Sequence, residues 1–235
     1  MADELPLFIA KAEDKASPRK SHFNLGRPYF PANFRSLKPT EAQWEVWCLD
    51  RWNISRGIKT PEPIKSVWHR LVAHQVPIES PRYQRQLLTI DLIGISEDGF
   101  PVVVEMKGNT KQAAVLALIL QALDYAIRLK TCWPYFFREW QEALAKYKWP
   151  VIQQSPNRIH VVCAAPDEVW QHEQKPRFAP NTIFYAKLLQ SLESCGFPVS
   201  LVGLCTKSLS EVNFEVVAQP FDFVSALDAK APRLD

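Results

Sequence analysis

The sequence has only seven glycines, and none of them belongs to a recognised nucleotide-binding or hydrolase motif. It contains no Gly-x-x-x-x-Gly-Lys phosphate loop, no Gly-x-Gly-x-x-Gly dinucleotide fingerprint and no Gly-x-Ser-x-Gly nucleophile turn. These absences exclude the phosphate-loop, dinucleotide-binding and serine-hydrolase classes that depend on those motifs.

The five cysteines are widely spaced and include no Cys-x-x-Cys pair, and we find no zinc-ligand spacing. An odd number of isolated cysteines without an N-terminal secretory pattern predicts a reduced, cytoplasmic protein whose cysteines are small buried hydrophobic residues. The uncharged apolar run at 112–123 is much shorter than the ~20 residues that span a bilayer, so we expect no membrane segment.

The chain has 235 residues, of which 47% are hydrophobic, and this suffices for one domain with a sizeable core. Its net charge of +3 permits nucleic-acid binding without requiring it. We expect an extended N-terminal arm at 1–39, a folded domain at 40–225 and a flexible tail at 226–235.

Two apolar runs in the middle of the chain predict a β-hairpin. They are residues 89–95 and 100–106, and an Asp-Gly pair lies in the short turn between them. Asp91 interrupts the first run, and Glu105 ends the valines of the second, with Lys107 two positions later on the same face. Burying a carboxylate in a strand costs free energy unless it is paired or binds a cation, so these residues require a chemical reason.

Converging carboxylates favour a divalent cation, because two of them repel each other and raise one pKa unless a cation lies between them. Mg²⁺ and Mn²⁺ take oxygen ligands from carboxylates, water and substrate phosphate. We therefore predict Asp91, Glu105 and the Met106 carbonyl as ligands, with Lys107 holding or helping to deprotonate an attacking water. Metal, water and lysine together make a site that hydrolyses phosphodiester bonds.

The charged hairpin and the helix predicted after it resemble the signature of the PD-(D/E)XK nuclease superfamily, in its RecB-like branch. That signature, Asp…Glu-x-Lys followed by Gln-x-x-x-Tyr, is matched by Asp91, Glu105, Lys107, Gln121 and Tyr125. Ile90 stands where the superfamily's name-giving proline precedes the aspartate. The resemblance covers residues 41–129, with weaker support to about residue 207.

The resemblance implies an α/β fold with a restriction-endonuclease-like core, in which helices flank a mixed central sheet. It also implies a Mg²⁺- or Mn²⁺-dependent nuclease that acts on DNA more than on RNA and has no membrane partner. A homodimer remains open.

An acidic ligand on the first helix is a further implication. We predict this helix from Glu41 to about residue 55, with Thr40 as its N-cap. Glu41 and Glu45 lie on one face, and we favour Glu45 as the ligand. The alternative is that both are ordinary acids near the positive end of the helix dipole.

Gln121 and Tyr125 lie one turn apart on a helix predicted at 111–129. Following the resemblance, both point at the carboxylates, and Gln121 positions Lys107, the water or the phosphate. The alternative is a core tyrosine beside a surface glutamine. Three basic residues are candidates for contacts with nucleic-acid phosphate, against the alternative of solvated side chains: Lys111, Arg82 and Arg85.

Hydrophobic patterns and helix-capping or chain-breaking residues predict further strands at 64–77, 158–164, 199–206 and 214–218, and helices at 135–147 and 181–195. Two other functions remain open from the sequence. One is a catalytically silent nuclease-like protein that binds nucleic acid or a protein partner. The other is an unrelated α/β protein whose charged residues form structural ion pairs.

Overall fold

The computed structural model describes eight stretches of the chain: residues 5–15, 40–52, 70–78, 89–108, 115–147, 151–166, 169–170 and 179–204. They contain five helices, α1 Leu5–Lys15, α2 Glu41–Trp52, α3 Val115–Thr131, α4 Trp133–Tyr147 and α5 Ala179–Ser194. They also contain five strands, β1 Arg70–Pro77, β2 Thr89–Ile95, β3 Pro101–Met106, β4 His160–Pro166 and β5 Val199–Leu204.

The strands form one mixed sheet whose spatial order follows the order of the chain, from β1 to β5. β1, β2 and β3 are antiparallel neighbours. β3, β4 and β5 run parallel, and the crossover from β3 to β4 contains α3 and α4. This arrangement confirms the prediction of an α/β fold with a mixed central sheet flanked by helices.

Apolar side chains cover both faces of the sheet. On one face α2 packs Trp44, Cys48 and Leu49 against alternate strand residues such as Val104. On the other face a larger core joins the sheet to α1, α3, α4 and α5. Strand residues alternate between these two cores, which explains why β3 is buried along its whole length.

Several expectations from the sequence are confirmed. The hairpin forms between β2 and β3, α2 begins at Glu41, and β4 lies parallel to β3. α5 ends just before Gly196, which has a positive φ of 85° that favours glycine. Parts of the predicted elements, namely residues 53–55, 64–69, 111–114, 205–206 and 214–218, lie outside the described residues.

Two expectations are corrected. Residues 5–15 were expected in an extended arm, but they form α1, whose Leu5 is buried in the core beside α3. An isolated helix of this length is marginal in water, so tertiary packing stabilises it. The helix expected at 135–147 begins at Trp133, because Pro134 fits the first turn, where its missing N–H has no partner to lose.

None of the described helices is both long and apolar enough to cross a membrane.

Candidate metal centre

Helix α2 begins with a hydrogen-bonded cap, and its first residue lies against Gly108, just after β3. Thr40 and Gln43 form a reciprocal cap, in which the Thr40 N–H donates to Gln43 Oε1 at 2.8 Å and the Gln43 N–H donates to Thr40 Oγ1 at 3.4 Å. Gly108 lies so close to α2 that a Cβ on it would be 2.5 Å from the Glu41 nitrogen. The absence of a side chain at Gly108 therefore lets Glu41 and Glu45 approach the strand that carries Glu105.

Asp91 occupies the middle of a polar row across three strands. In β1, His74 pairs with Leu92 and Val76 pairs with Ile90, so Gln75 lies opposite Asp91. On the other side of Asp91 lies Glu105 of β3. The two residues adjoin Leu92 and Val104, the terminal pair of β2 and β3. The row becomes apolar at Cys163 of β4, which is paired with Glu105. The row of Gln75, Asp91 and Glu105 thus lies at the end of the sheet where β2 begins and β3 ends.

Three carboxylates meet at this end of the sheet. Glu41, Glu45 and Asp91 each offer an oxygen, and the three oxygens lie within 4.8 Å of one another. Glu45 is 3% exposed and Asp91 is 6% exposed, whereas Glu41 is half-buried. Burial, and after it the charge on Asp91, raises the pKa of Glu45 to about 8. Such a group keeps a proton near neutral pH unless a cation replaces it.

Glu105 is the most buried charged residue of the site, at 1% exposure. Its Oε1 accepts a hydrogen bond from Lys107 Nζ at 2.7 Å, whereas its Oε2 accepts none from the described residues. Burial and the neighbouring Asp91 carboxylate raise the pKa of Glu105. Burial also raises the pKa of Asp91, and the Met106 N–H, which donates to Asp91 Oδ2 at 2.8 Å, opposes that rise. A buried carboxylate oxygen costs free energy unless a hydrogen-bond donor or a cation compensates it.

Lys107 joins the two groups of carboxylates. Its Nζ lies 2.7 Å from Glu105 Oε1 and 3.5 Å from Glu41 Oε1. Burial lowers the pKa of Lys107, but the carboxylates of Glu105, Glu41 and Asp91 together outweigh burial, so the pKa is raised and the side chain is an ammonium at neutral pH. Its side chain is only 15% exposed. An ammonium in this place has hydrogen-bond donors left for a water molecule or a phosphate oxygen.

Gln121 and Tyr125 lie on the face of α3 that approaches the site. Gln121 Nε2 donates to the Tyr125 hydroxyl oxygen at 3.1 Å. Burial raises the pKa of Tyr125, and smaller contributions come from the charges of Glu105, Asp91 and Lys107, so the ring lies within electrostatic reach of all three. Both residues therefore lie on the side of the carboxylates, but this hydrogen bond joins them to each other and not to a carboxylate.

Gln75 is a site residue that the sequence analysis missed. Its Nε2 donates to Glu45 Oε2 at 2.6 Å and to Asp91 Oδ1 at 3.3 Å, while its Oε1 accepts from the Thr89 hydroxyl at 2.9 Å. The sequence carried a signal for it, since His74 and Gln75 break an apolar strand much as Asp91 does.

Of the residues predicted from the sequence, Glu45, Asp91, Glu105, Lys107 and the Met106 backbone gather at one end of the sheet. The tightest carboxylate group differs from the predicted ligand set, because it includes Glu41 and leaves Glu105 beside Lys107. The predicted phosphate contacts Arg82, Arg85 and Lys111 lie outside the described residues.

The donor set suits a hard divalent cation. The side chains of the group offer only carboxylate oxygens, which Mg²⁺ and Mn²⁺ prefer, and one buried oxygen of Glu105 has no donor among the described residues. No sulfur or imidazole belongs to the group, and this disfavours zinc.

Comparison of this chain with protein-family models, with curated proteins and with solved structures gives no match.

Proposed function

We propose that this protein is a metal-dependent nuclease that hydrolyses phosphodiester bonds, with DNA as its substrate and a restriction-endonuclease-like core as its fold. The observation that carries the proposal is the Glu105–Lys107 pair beside a group of three carboxylates at one end of the sheet. A buried carboxylate with a free oxygen, an ammonium and further carboxylates are the groups that metal-assisted phosphodiester hydrolysis uses.

Glu45, Asp91 and Glu105 are the residues that would hold the cation. A bound Mg²⁺ or Mn²⁺ supplies Lewis-acid activation of the scissile phosphate and lowers the pKa of a water molecule. The Met106 N–H fixes one oxygen of Asp91 and so leaves the other directed towards Glu45. The Met106 carbonyl is a further oxygen ligand in this proposal.

Lys107 is the residue that acts on the reacting groups. Because Glu105 and Glu41 stabilise its ammonium form, it donates hydrogen bonds to the attacking water and offsets the charge that develops on the phosphate oxygens. Gln121 and Tyr125 act from the side of α3, where the Tyr125 hydroxyl keeps a lone pair and a proton for the water or the phosphate.

Cleavage of circular single-stranded DNA and of supercoiled double-stranded DNA tests the proposal. Wild type, Lys107→Ala and the control Lys187→Ala are each assayed with Mn²⁺ or with EDTA; Lys187 is exposed on α5. We expect Mn²⁺-dependent cutting that Lys107→Ala lowers by about 100- to 1000-fold and that Lys187→Ala preserves.

Cutting by Lys107→Ala at the wild-type rate would contradict this site. If wild type binds Mn²⁺ but cuts neither circular nor linear DNA, the catalytically silent nuclease-like protein becomes the better description. RNA of the same sequence, assayed in parallel, tests the preference for DNA.

A further inference from the structure

The Gln75 side chain lies where two of the cation's ligands meet. Its Nε2 contacts Glu45 Oε2 at 2.6 Å and Asp91 Oδ1 at 3.3 Å. These two residues belong to the group whose oxygens lie within 4.8 Å of one another. A donor between two carboxylates interacts with the same lone pairs that a cation would use.

The other end of the amide makes a third contact. Gln75 Oε1 accepts a hydrogen bond from the Thr89 hydroxyl at 2.9 Å, while Nε2 donates to the carboxylate oxygens of Glu45 and Asp91. The end of Gln75 that faces the carboxylates is therefore a donor, which repels a cation, and not the carbonyl oxygen, which would bind one.

The backbone at Gln75 is unusual as well. Its φ is 49°, a left-handed conformation that is uncommon for a residue other than glycine and rare inside a strand. Strained backbone of this kind is concentrated at functional sites. The conformation is an observation separate from the hydrogen bonds, and both concern the same residue of β1, the outermost strand of the sheet that the described residues form.

A second separate observation concerns Glu105, the carboxylate next to Asp91 in the polar row. Glu105 is 1% exposed, and its Oε2 accepts no hydrogen bond from the described residues. Gln75 and Lys107 therefore satisfy only part of the carboxylate set.

We propose that Gln75 competes with a divalent cation for Glu45 and Asp91. Its amide donates to both carboxylates when no cation is bound, and it withdraws towards solvent at the sheet edge when one binds. Cation binding must then break two hydrogen bonds, so Gln75 weakens the apparent affinity and makes occupancy of the site depend on cation concentration. Gln75 is a positioning residue here, and this role rests on the proposed cation site.

Isothermal titration calorimetry with Mn²⁺ tests the competition without any substrate. Gln75→Met keeps the length of the side chain but removes the two N–H donors. Methionine has a Cβ, as glutamine does, so the cost of the left-handed backbone at this position does not change. We expect its dissociation constant for Mn²⁺ to fall by about tenfold, because no hydrogen bonds to the carboxylates have to be broken. Gln154→Met is the control, since Gln154 is exposed at the opposite end of the sheet, and it should leave the constant unchanged.

Thr89→Val is a second variant that tests the same idea if Gln75→Met does not fold. It removes the hydroxyl that holds the amide in place. We expect a smaller decrease of the dissociation constant, in the same direction.

The outcomes separate this inference from the proposed function. Weaker or unchanged Mn²⁺ binding by Gln75→Met overturns the competition, because a residue that only supports the carboxylates, or that binds the cation itself, would give that result. If Gln75→Met binds Mn²⁺ and wild type shows no binding, the result supports the competition. If neither protein binds Mn²⁺, both the cation site and the competition are overturned, whereas cleavage by Lys107→Ala bears on the nuclease proposal alone.

Discussion

The two ends of the β2–β3 hairpin treat buried polar groups in opposite ways. At the turn, Ser96 is 6% exposed, and its hydroxyl accepts the Phe100 N–H at 3.0 Å while its backbone N–H donates to the Phe100 carbonyl oxygen. At the other end, Glu105 is 1% exposed, and one of its oxygens has no donor among the described residues. Both residues are polar and buried, but Glu105 has a donor, Lys107, for only one of its two oxygens.

The turn end of the hairpin therefore stabilises the fold, whereas repulsion between buried carboxylates at the other end destabilises it. A turn closed by backbone hydrogen bonds between Ser96 and Phe100 and between Gly99 and Ser96 holds the hairpin register. A set of buried carboxylates that raise one another's pKa opposes folding until a proton or a cation compensates them. Three of the four buried polar or charged residues of the described chain lie at the carboxylate end.

Asp91→Asn should have the largest effect, because it removes the charge that the carboxylates on both sides of residue 91 repel. An amide at 91 removes a charge from between Glu45 and Glu105, and its oxygen can still accept the Met106 N–H. We expect Mn²⁺ affinity to fall by at least ~100-fold and cleavage to be lost, since a ligand is removed. The free energy of unfolding without metal should rise by about 1–2 kcal/mol, because repulsion between buried carboxylates is relieved.

Calorimetry with Mn²⁺ and urea unfolding in EDTA measure these two effects of Asp91→Asn. A variant that is less stable than wild type in EDTA would mean that Asp91 is a structural ion-pair partner and not a source of repulsion.

The stability of the protein without metal should depend on pH through the carboxylate end. The folded state raises the pKa of Glu45 from 4.5 to about 8, so it holds a proton that the unfolded chain releases. This contribution to stability is complete below pH 4.5 and is lost as the pH rises through 8. Asp91 and Glu105, whose pKa values are also raised, act in the same direction.

Urea unfolding in EDTA across this pH range should show a loss on the order of a few kcal/mol. Saturating Mn²⁺ should abolish the loss, because metal ligands bind in their ionised form. Glu45→Gln is the matched variant and should flatten the profile. If the free energy of unfolding in EDTA instead rose with pH between about 5 and 8, the carboxylates would be stabilised as anions by the fold, contrary to this prediction.

Gly99→Ala should damage the turn end alone. Gly99 has φ of 81°, and a Cβ there would lie 3.3 Å from the Val151 carbonyl oxygen. We expect a loss of about 1–2 kcal/mol of unfolding free energy, the cost of a left-handed conformation for a residue with a Cβ. Mn²⁺ affinity measured well below the melting temperature should not change. A changed affinity would show that the two ends are coupled.

Tyr125→Phe should have the smallest effect. It removes the hydroxyl that accepts from Gln121 but keeps the ring in the core. We expect unfolding free energy to change by less than about 1 kcal/mol and the cleavage rate to fall by about tenfold, as for one lost hydrogen bond in the transition state. Single-turnover cleavage with Mn²⁺ measures this, and a rate equal to wild type would place Tyr125 in the core only.

The carboxylate pair could be predicted from the sequence because its causes are local. The Asp-Gly turn sets the register of β2 against β3, and this register alone makes Asp91 and Glu105 neighbours. α2 was predictable for the same reason, since Thr40 and Gln43 cap it from within its first turn.

The remaining features depend on contacts between distant parts of the chain. Gln75 reaches Asp91 only because β1 pairs with β2 in one particular register, which no short turn motif specifies. Helix α1 is too short to be stable alone, and its packing beside α3 cannot be read from residues 5–15. The contact between Lys107 and Glu41 likewise joins residues 66 positions apart.

The close approach of Gly108 to Glu41 has a consequence for dividing the chain in two. A cut between α2 and β1 would leave Glu41 and Glu45 on one piece, and Asp91 and Lys107 on the other. One piece would carry two of the three carboxylates and the other piece the third, and the ion would then act as the link that joins them. Under the proposed cation site, the affinity of the two fragments for each other should therefore rise with Mn²⁺ concentration, which makes fragment complementation a sensor of the metal.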